Sequence, residues 1–152
     1  MFKKLSHVGI VVKNLDEAIK RYNDIFHLTP SNIVTCEELG TRMAILPIGD
    51  NAIELISPIG SKGHVDRRVT EHLRKRGEGL FHVCIFAEDF DTEVKTWKEK
   101  GYKVEVETHS AEQPDGTKIN ARMVFLSPEQ TMGVLIEVGD LAMVTPDLFK
   151  SK

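Results

Sequence analysis

The chain opens on an apolar, β-branched run, HVGIVV (His7 to Val12), of the kind that builds a buried strand. The period then changes. Leu15, Ala18, Ile19, Tyr22 and Phe26 recur at helical spacing. Asn14 stands ahead of them as an N-cap, with Glu17 three residues on in a capping-box arrangement. Strand-like runs follow over Ile33 to Glu38, Thr41 to Pro47 and Asn51 to Ser57, with hairpin-turn residues in Pro47-Ile48-Gly49-Asp50-Asn51. The pattern predicts β-α-β-β-β.

The same order recurs in the second half. His82 to Phe86 is the opening strand. Asp89 is the N-cap of a helix with Phe90, Val94 and Trp97 on its apolar face, and Gly101 ends it. Strands are then expected over Lys103 to Glu107, Arg122 to Leu126 and Gly133 to Val138. The recurrence is one of residues as well as periods. LSHVGIVVKNLDEAIKRYNDIF (from Leu5) aligns with LFHVCIFAEDFDTEVKTWKEKG (from Leu80) at an offset of 75, pairing His7 with His82 and Asp16 with Asp91. RMAIL (from Arg42) meets RMVFL (from Arg122) at an offset of 80, and AIELIS around Glu54 meets VLIEVG around Glu137 at an offset of 83. The offset grows only where loops are expected, which is where insertions are tolerated.

These segments predict an α+β fold: two repeated βαβββ modules forming a curved, partly open mixed sheet around a metal site. The modules are expected at 1–60 and 80–140. Residues 61–79 join them as a linking helix with a narrow stripe of Val65, Val69 and Leu73, closed by Gly77 and Gly79. A C-terminal tail occupies 141–152.

Bulk properties exclude several classes. A net charge of -3 lacks the basic excess of a nucleic-acid binder. No apolar run approaches the roughly 18 residues a membrane span needs. The basic N-terminus has too short an apolar stretch, and no small-residue cleavage site, for a signal peptide. Two cysteines, Cys36 and Cys84, form no disulfide framework, so a reducing cytoplasm is the expected compartment.

Four residues resist an ordinary reading. Glu54 lies between Ile53 and Leu55, and Glu137 between Ile136 and Val138, in strands that look buried. An unpaired carboxylate there costs several kcal/mol, on the order of a small domain's whole stability. A metal ion removes that cost by making the charge a ligand. One histidine on a strand is usually packed and hydrogen-bonded, and one glutamate is usually on an exposed face. A histidine and a glutamate from each half, at matched positions, point instead to His7, Glu54, His82 and Glu137 as ligands of one divalent ion. Two imidazoles and two carboxylates suit zinc, cobalt, nickel, manganese or iron(II). His27, His64, His72 and His109 lack this setting and are expected in solvent. Arg67, Arg68, Arg74, Lys75 and Arg76 form a basic cluster, read as a solvated face partly neutralised by Asp66 and Glu71, or as a dock for coenzyme A phosphates.

LSHVGIVVKNLDEAIKRYNDIF, LPIGDNAIELISPIG, KRGEGLFHVCIFAEDFD and RMVFLSPEQTMGVLIEVGD together resemble the vicinal oxygen chelate superfamily (glyoxalase, bleomycin resistance, dioxygenase), and within it the methylmalonyl-CoA epimerases. The resemblance spans most of residues 4–140. It implies the same four ligands, His7, Glu54, His82 and Glu137. It also implies a small-molecule substrate, an acyl-CoA, and a homodimer. The implied chemistry is proton abstraction next to a thioester carbonyl, with the metal stabilising the enolate. Met43 stands where some family epimerases carry a general-base glutamate. With Met43 unable to titrate, Glu54 and Glu137 are the candidate catalytic bases. Phe81-His82-Val83-Cys84-Ile85 and Phe125-Leu126-Ser127-Pro128-Glu129 depart from the family's usual wording. Residues Thr108 to Ala121, with the turn Pro114-Asp115-Gly116, read as a loop longer than the family's and able to cover the site. Other members of the superfamily supply the competing readings: a glyoxalase I-type lactoylglutathione lyase, a non-catalytic small-molecule-binding or resistance protein, and an iron(II) extradiol dioxygenase. The last needs only three protein ligands, and a fourth argues against it.

Overall fold

The structure, a computed structural model, describes residues 1–60, 63–112 and 118–141. Along the chain run β1 (Phe2–Val11), α1 (Leu15–Phe26), β2 (Asn32–Cys36), β3 (Thr41–Ile48), β4 (Asn51–Pro58), α2 (His64–Arg76), β5 (Gly79–Ala87), α3 (Phe90–Glu99), β6 (Val106–Glu112), β7 (Lys118–Leu126) and β8 (Leu135–Asp140). The fold is α+β, with β-α-β-β-β twice and α2 between. The predicted caps form: Asn14 Oδ1 accepts the Glu17 amide at 3.1 Å, and Asp89 Oδ1 accepts the Thr92 amide at 3.1 Å. Two compact units emerge among the described residues, His7–Phe81 and the segment Met1–Ser6 together with 82–141.

In the unit of residues 7–81 the strand order is β2-β3-β4-β1. β2/β3 and β3/β4 are antiparallel and β4/β1 is parallel. Gly49, at φ +57°, makes the β3–β4 turn in a conformation that suits glycine. Alternation along the strands gives the sheet two different faces. Val12, Ala44, Leu46 and Leu55 point to one face and are covered by Leu15, Ala18, Ile19 and Tyr22 of α1. Leu46 and Leu55 are fully buried, each stabilising the unit by roughly 1.5–3 kcal/mol. Val11, Ile56 and Met43 point to the other face, where Val65, Val69 and Leu73 of α2 and Phe81 pack on them. The narrow stripe of the linking helix therefore has a defined seat. The start of α2 is pinned too. The Asp66 amide donates to Leu39 O at 2.9 Å, and Asp66 Oδ1 accepts the Gly60 amide at 3.2 Å. A Cβ on Gly63 would lie 2.3 Å from the Leu39 backbone, so only glycine fits there.

In the other unit the order is β5-β8-β7-β6, with β5/β8 parallel and the remaining pairs antiparallel. Phe90 and Val94 of α3 bury against Ala87, Val104, Val124 and Val138. The first residues of the chain belong here. Phe2 stacks on Trp97 with ring centroids 6.1 Å apart, and the Met1 ammonium meets Glu93 at 2.8 Å.

The repeat extends to an ion pair. Arg42 on β3 bonds Asp16 in the first turn of α1 at 2.9 Å, and Arg122 on β7 bonds Asp91 in the first turn of α3. Both arginines thus tie a helix N-terminus, where carboxylates gather by helix polarity, to the third strand of the module. The second copy has more: Arg122 also reaches the buried Asp140 at 3.2 Å, and its guanidinium lies 4.9 Å from the Phe90 ring centre.

Several expectations are corrected. Thr108 to Ala121 is not a plain loop, because its ends extend β6 to Glu112 and start β7 at Lys118; the cross-strand ladder from His109↔Ala121 to Glu112↔Lys118 holds them. The turn Pro114-Asp115-Gly116 lies outside the described residues, as does the tail from residue 142. The strand expected at Lys103 begins at Val106 instead, since Gln130 takes the Lys103 backbone in its own two hydrogen bonds. His109 is not in solvent; it is 5% exposed on β6. His72 is half-buried, its ring edge-on to Phe81 at 5.4 Å, and burial lowers its pKa. His27 is exposed, as expected, while the side chain of His64 lies outside what is described.

Candidate functional site

The predicted ligands form two pairs, one in each unit. In parallel β1/β4, His7 lies opposite Ala52 and Gly9 opposite Glu54. In parallel β5/β8, His82 lies opposite Leu135 and Cys84 opposite Glu137. In both, the glutamate is one strand across and two residues along from the histidine. Side chains two residues apart share a face, so imidazole and carboxylate meet by register. His7 Nε2 lies 3.4 Å from Glu54 Oε2, and His82 Nε2 lies 3.1 Å from Glu137 Oε2. His82 is the most enclosed, with a side chain 3% exposed and its ring edge-on to Phe125 at 6.4 Å.

The spacing fits ligation. Two donors bound to one ion at about 2.0–2.2 Å, subtending a roughly tetrahedral angle, stand about 3.3–3.6 Å apart, and closer at smaller angles. Both observed separations fall in or just below that range. An imidazole and a carboxylate at such a distance also hold a shared proton or an ion pair.

Met43 lies opposite Ile56 on the same face as Glu54, where it packs against α2. It offers no proton. The basic cluster is divided by the fold. Asp66 is buried against the Gly60 amide and does not neutralise the exposed face. Arg67, Arg74, Lys75 and Arg76 are exposed. Glu71 pairs with Lys75 at 2.7 Å, and that bond holds its carboxyl below the usual range. The last three cations sit in the final turn of α2, where the helix dipole favours them.

One polar pair was missed in the sequence. His109 Nε2 lies 3.3 Å from Glu107 Oε2 in β6, with side chains 6% and 19% exposed. The signal was their two-residue spacing, which places both on one face once β6 is known to run past Glu107.

Residues 6–120 match the profile of the Glyoxalase/Bleomycin resistance protein/Dioxygenase superfamily. The mitochondrial methylmalonyl-CoA epimerase of Mus musculus is 30% identical over 139 residues, 89% of this chain and 71% of the relative. That of Dictyostelium discoideum is also 30% identical over 139 residues, with 76% of its length covered. Among solved structures, a variant Streptomyces coelicolor methylmalonyl-CoA epimerase in complex with 2-nitronate-propionyl-CoA superposes with a TM-score of 0.76 at 25% identity, over 92% of this chain and 98% of that one. The methylmalonyl-CoA epimerase of Mycobacterium tuberculosis gives 0.72 at 28% identity, over 90% and 86%. No helix among the described residues is long and apolar enough to cross a membrane.

Proposed function

Because the chain belongs to the Glyoxalase/Bleomycin resistance protein/Dioxygenase superfamily, and to the methylmalonyl-CoA epimerases within it, we propose that it is a metal-dependent isomerase that epimerises a 2-methyl-branched acyl-CoA, with methylmalonyl-CoA as the first substrate to test. The carrying observation is likeness in both sequence and fold to epimerases, including one solved with an acyl-CoA analogue. The repeated His–Glu pairs supply the chemistry the reaction needs.

The proposed ligands are His7, Glu54, His82 and Glu137, serving one divalent ion. Cobalt, zinc, nickel, manganese and iron(II) all suit that donor set. A bound ion supplies Lewis acidity at the thioester oxygen, where negative charge develops as the α-proton leaves. Glu54 and Glu137 are the candidate proton acceptors, since Met43 has no titratable group. Both carboxylate side chains are largely enclosed, 11% and 12% exposed, which limits the water around them. The exposed Arg74, Lys75 and Arg76 are candidates to meet the phosphates of coenzyme A. Beyond the site, the division into modules 1–60 and 80–140 around the linking segment 61–79, a homodimer and a cytoplasmic location remain part of the proposal; light scattering and fractionation test the last two.

The test is isotopic. Metal-loaded protein is incubated with methylmalonyl-CoA in deuterated water, and label at the α-carbon is followed by mass spectrometry. Incorporation with interconversion of the two epimers is expected. No incorporation with cobalt, nickel, manganese or zinc refutes the reading for this substrate, and a hemithioacetal assay then tests the lyase chemistry of the same superfamily.

A further inference from the structure

We propose that Glu107, held by His109, is a second proton-transfer group, working across an apolar floor from Glu137. The inference rests on the epimerase reading above.

The register carries it. Glu107 lies opposite Met123, Met123 opposite Gly139, and Gly139 opposite Phe86. The neighbouring row holds Cys84, Glu137 and Phe125. Directly paired residues share a face, and so do residues two apart. Glu107 and His109 therefore stand on the face that bears His82 and Glu137. Two strand spacings and two residues separate Glu107 from Glu137, roughly 12 Å between Cα atoms. The side chains between them are apolar. The Phe86 ring lies so close over Gly139 that a Cβ there would sit 2.5 Å from it. Met123 and Phe125 complete the floor. A branched acyl carbon lying on such a surface has a carboxylate at either end.

The repeat sharpens the case. In the first module the residue opposite Met43 is Val34, and the next on that face is Cys36. In the second module the residue opposite Met123, the counterpart of Met43, is Glu107, and the next is His109. An acid and a base thus appear in one half only, in place of a valine and a cysteine. Burying them costs free energy that a structural position with a valine avoids. A catalytic use accounts for the asymmetry, because reaction at a stereocentre needs two different groups.

Glu107 takes the α-proton as a carboxylate: the C–H bond breaks, an O–H bond forms, and the electron pair moves into the enolate. Glu137, as the acid on the other side of the carbon, returns a proton: its O–H bond breaks and the C–H bond re-forms with inverted configuration. His109 is a positioning residue. It touches Glu107 at 3.3 Å and fixes the rotamer of that carboxylate.

The experiment compares Glu107→Gln with the wild type on each separated epimer in deuterated water. The expected outcome is a loss of roughly 100-fold or more in epimerisation, the usual range for a general base. Metal content and acyl-CoA binding stay unchanged, and label is still washed in from one epimer only. His109→Leu lowers kcat with KM unchanged, and His109→Gln, which keeps an N–H for Glu107, restores much of it. Epimerisation by Glu107→Gln within threefold of wild type overturns the inference and leaves the epimerase reading standing. Loss of metal along with activity also overturns it, by making Glu107 structural. A wild type that exchanges no label fails the epimerase reading first, and this inference with it.

Discussion

Arg122 and Arg42 are the same strut in two settings, so substituting each by alanine is an internally controlled experiment. Arg122 is 27% exposed and Asp140, one of its two acceptors, 8%. Arg42 is 34% exposed and its partner Asp16 73%. Removing one member of a fully buried pair costs about 3–5 kcal/mol, because the other is left in a poor solvent. Arg122 is partly open and its Asp91 contact is 75% exposed on the acid side, so screening reduces the figure. Arg122→Ala is expected to cost about 2–3 kcal/mol, counting the stem lost from over Phe90. For a chain of 152 residues this lowers the melting midpoint by about 4–12 °C. Arg42→Ala is expected to move the midpoint by no more than the error of a melt, since exposed pairs contribute little. Thermal and urea denaturation followed by circular dichroism measure both. Arg122→Met separates the contributions, as it keeps a stem over Phe90 and removes the charge. Equal losses at the two arginines, or a shift under about 1 °C at Arg122, would refute the burial argument.

Three further outcomes are expected. Saturating divalent metal raises the melting midpoint of the wild type: an ion at one hundred times its dissociation constant adds about 2.7 kcal/mol. His82→Ala should lose both that rise and the bound metal by elemental analysis, and unchanged metal content counts against the ligand set. In acid, Asp91 and Asp16 are held below the usual carboxylate range by hydrogen bonds to Arg122 and Arg42. Their contribution is therefore full above the unfolded value of 3.8 and disappears as pH falls through the lower folded value; Asp91→Asn should flatten that acid limb in a pH series of melts, and an identical limb would contradict it. Gly139→Ala forces the Phe86 ring to move and is expected to cost about 1–3 kcal/mol by overpacking, with recovery in the Phe86→Leu double variant as the check.

Much of this was legible in the chain itself. The apolar run of His7 to Val12, the cap at Asn14 and the stripe of α1 are local, and local rules govern them. The pairing of His7 with His82, and of Glu54 with Glu137, was visible because a duplicated segment keeps equivalent residues at equivalent places. A buried carboxylate between two aliphatic residues has few explanations, so the ligand hypothesis needed no coordinates.

Tertiary structure decided what depends on register. No local pattern tells that β6 runs past Glu107. Strand ends are set by hydrogen bonds to a partner distant in sequence, and β7 supplied them. His109 looked like one more polar residue in a polar stretch; its burial, and its contact with Glu107, exist only once β6 lies against β7. Asp66 was counted with its helix as surface charge, yet the fold turns it onto the Gly60 amide. The two arginine struts were hidden for the same reason. Repeat alignment matched Asp16 with Asp91 and Arg42 with Arg122, but only packing of helix on strand joins acid to base, and only the β8 strand brings Asp140 to one arginine and not the other.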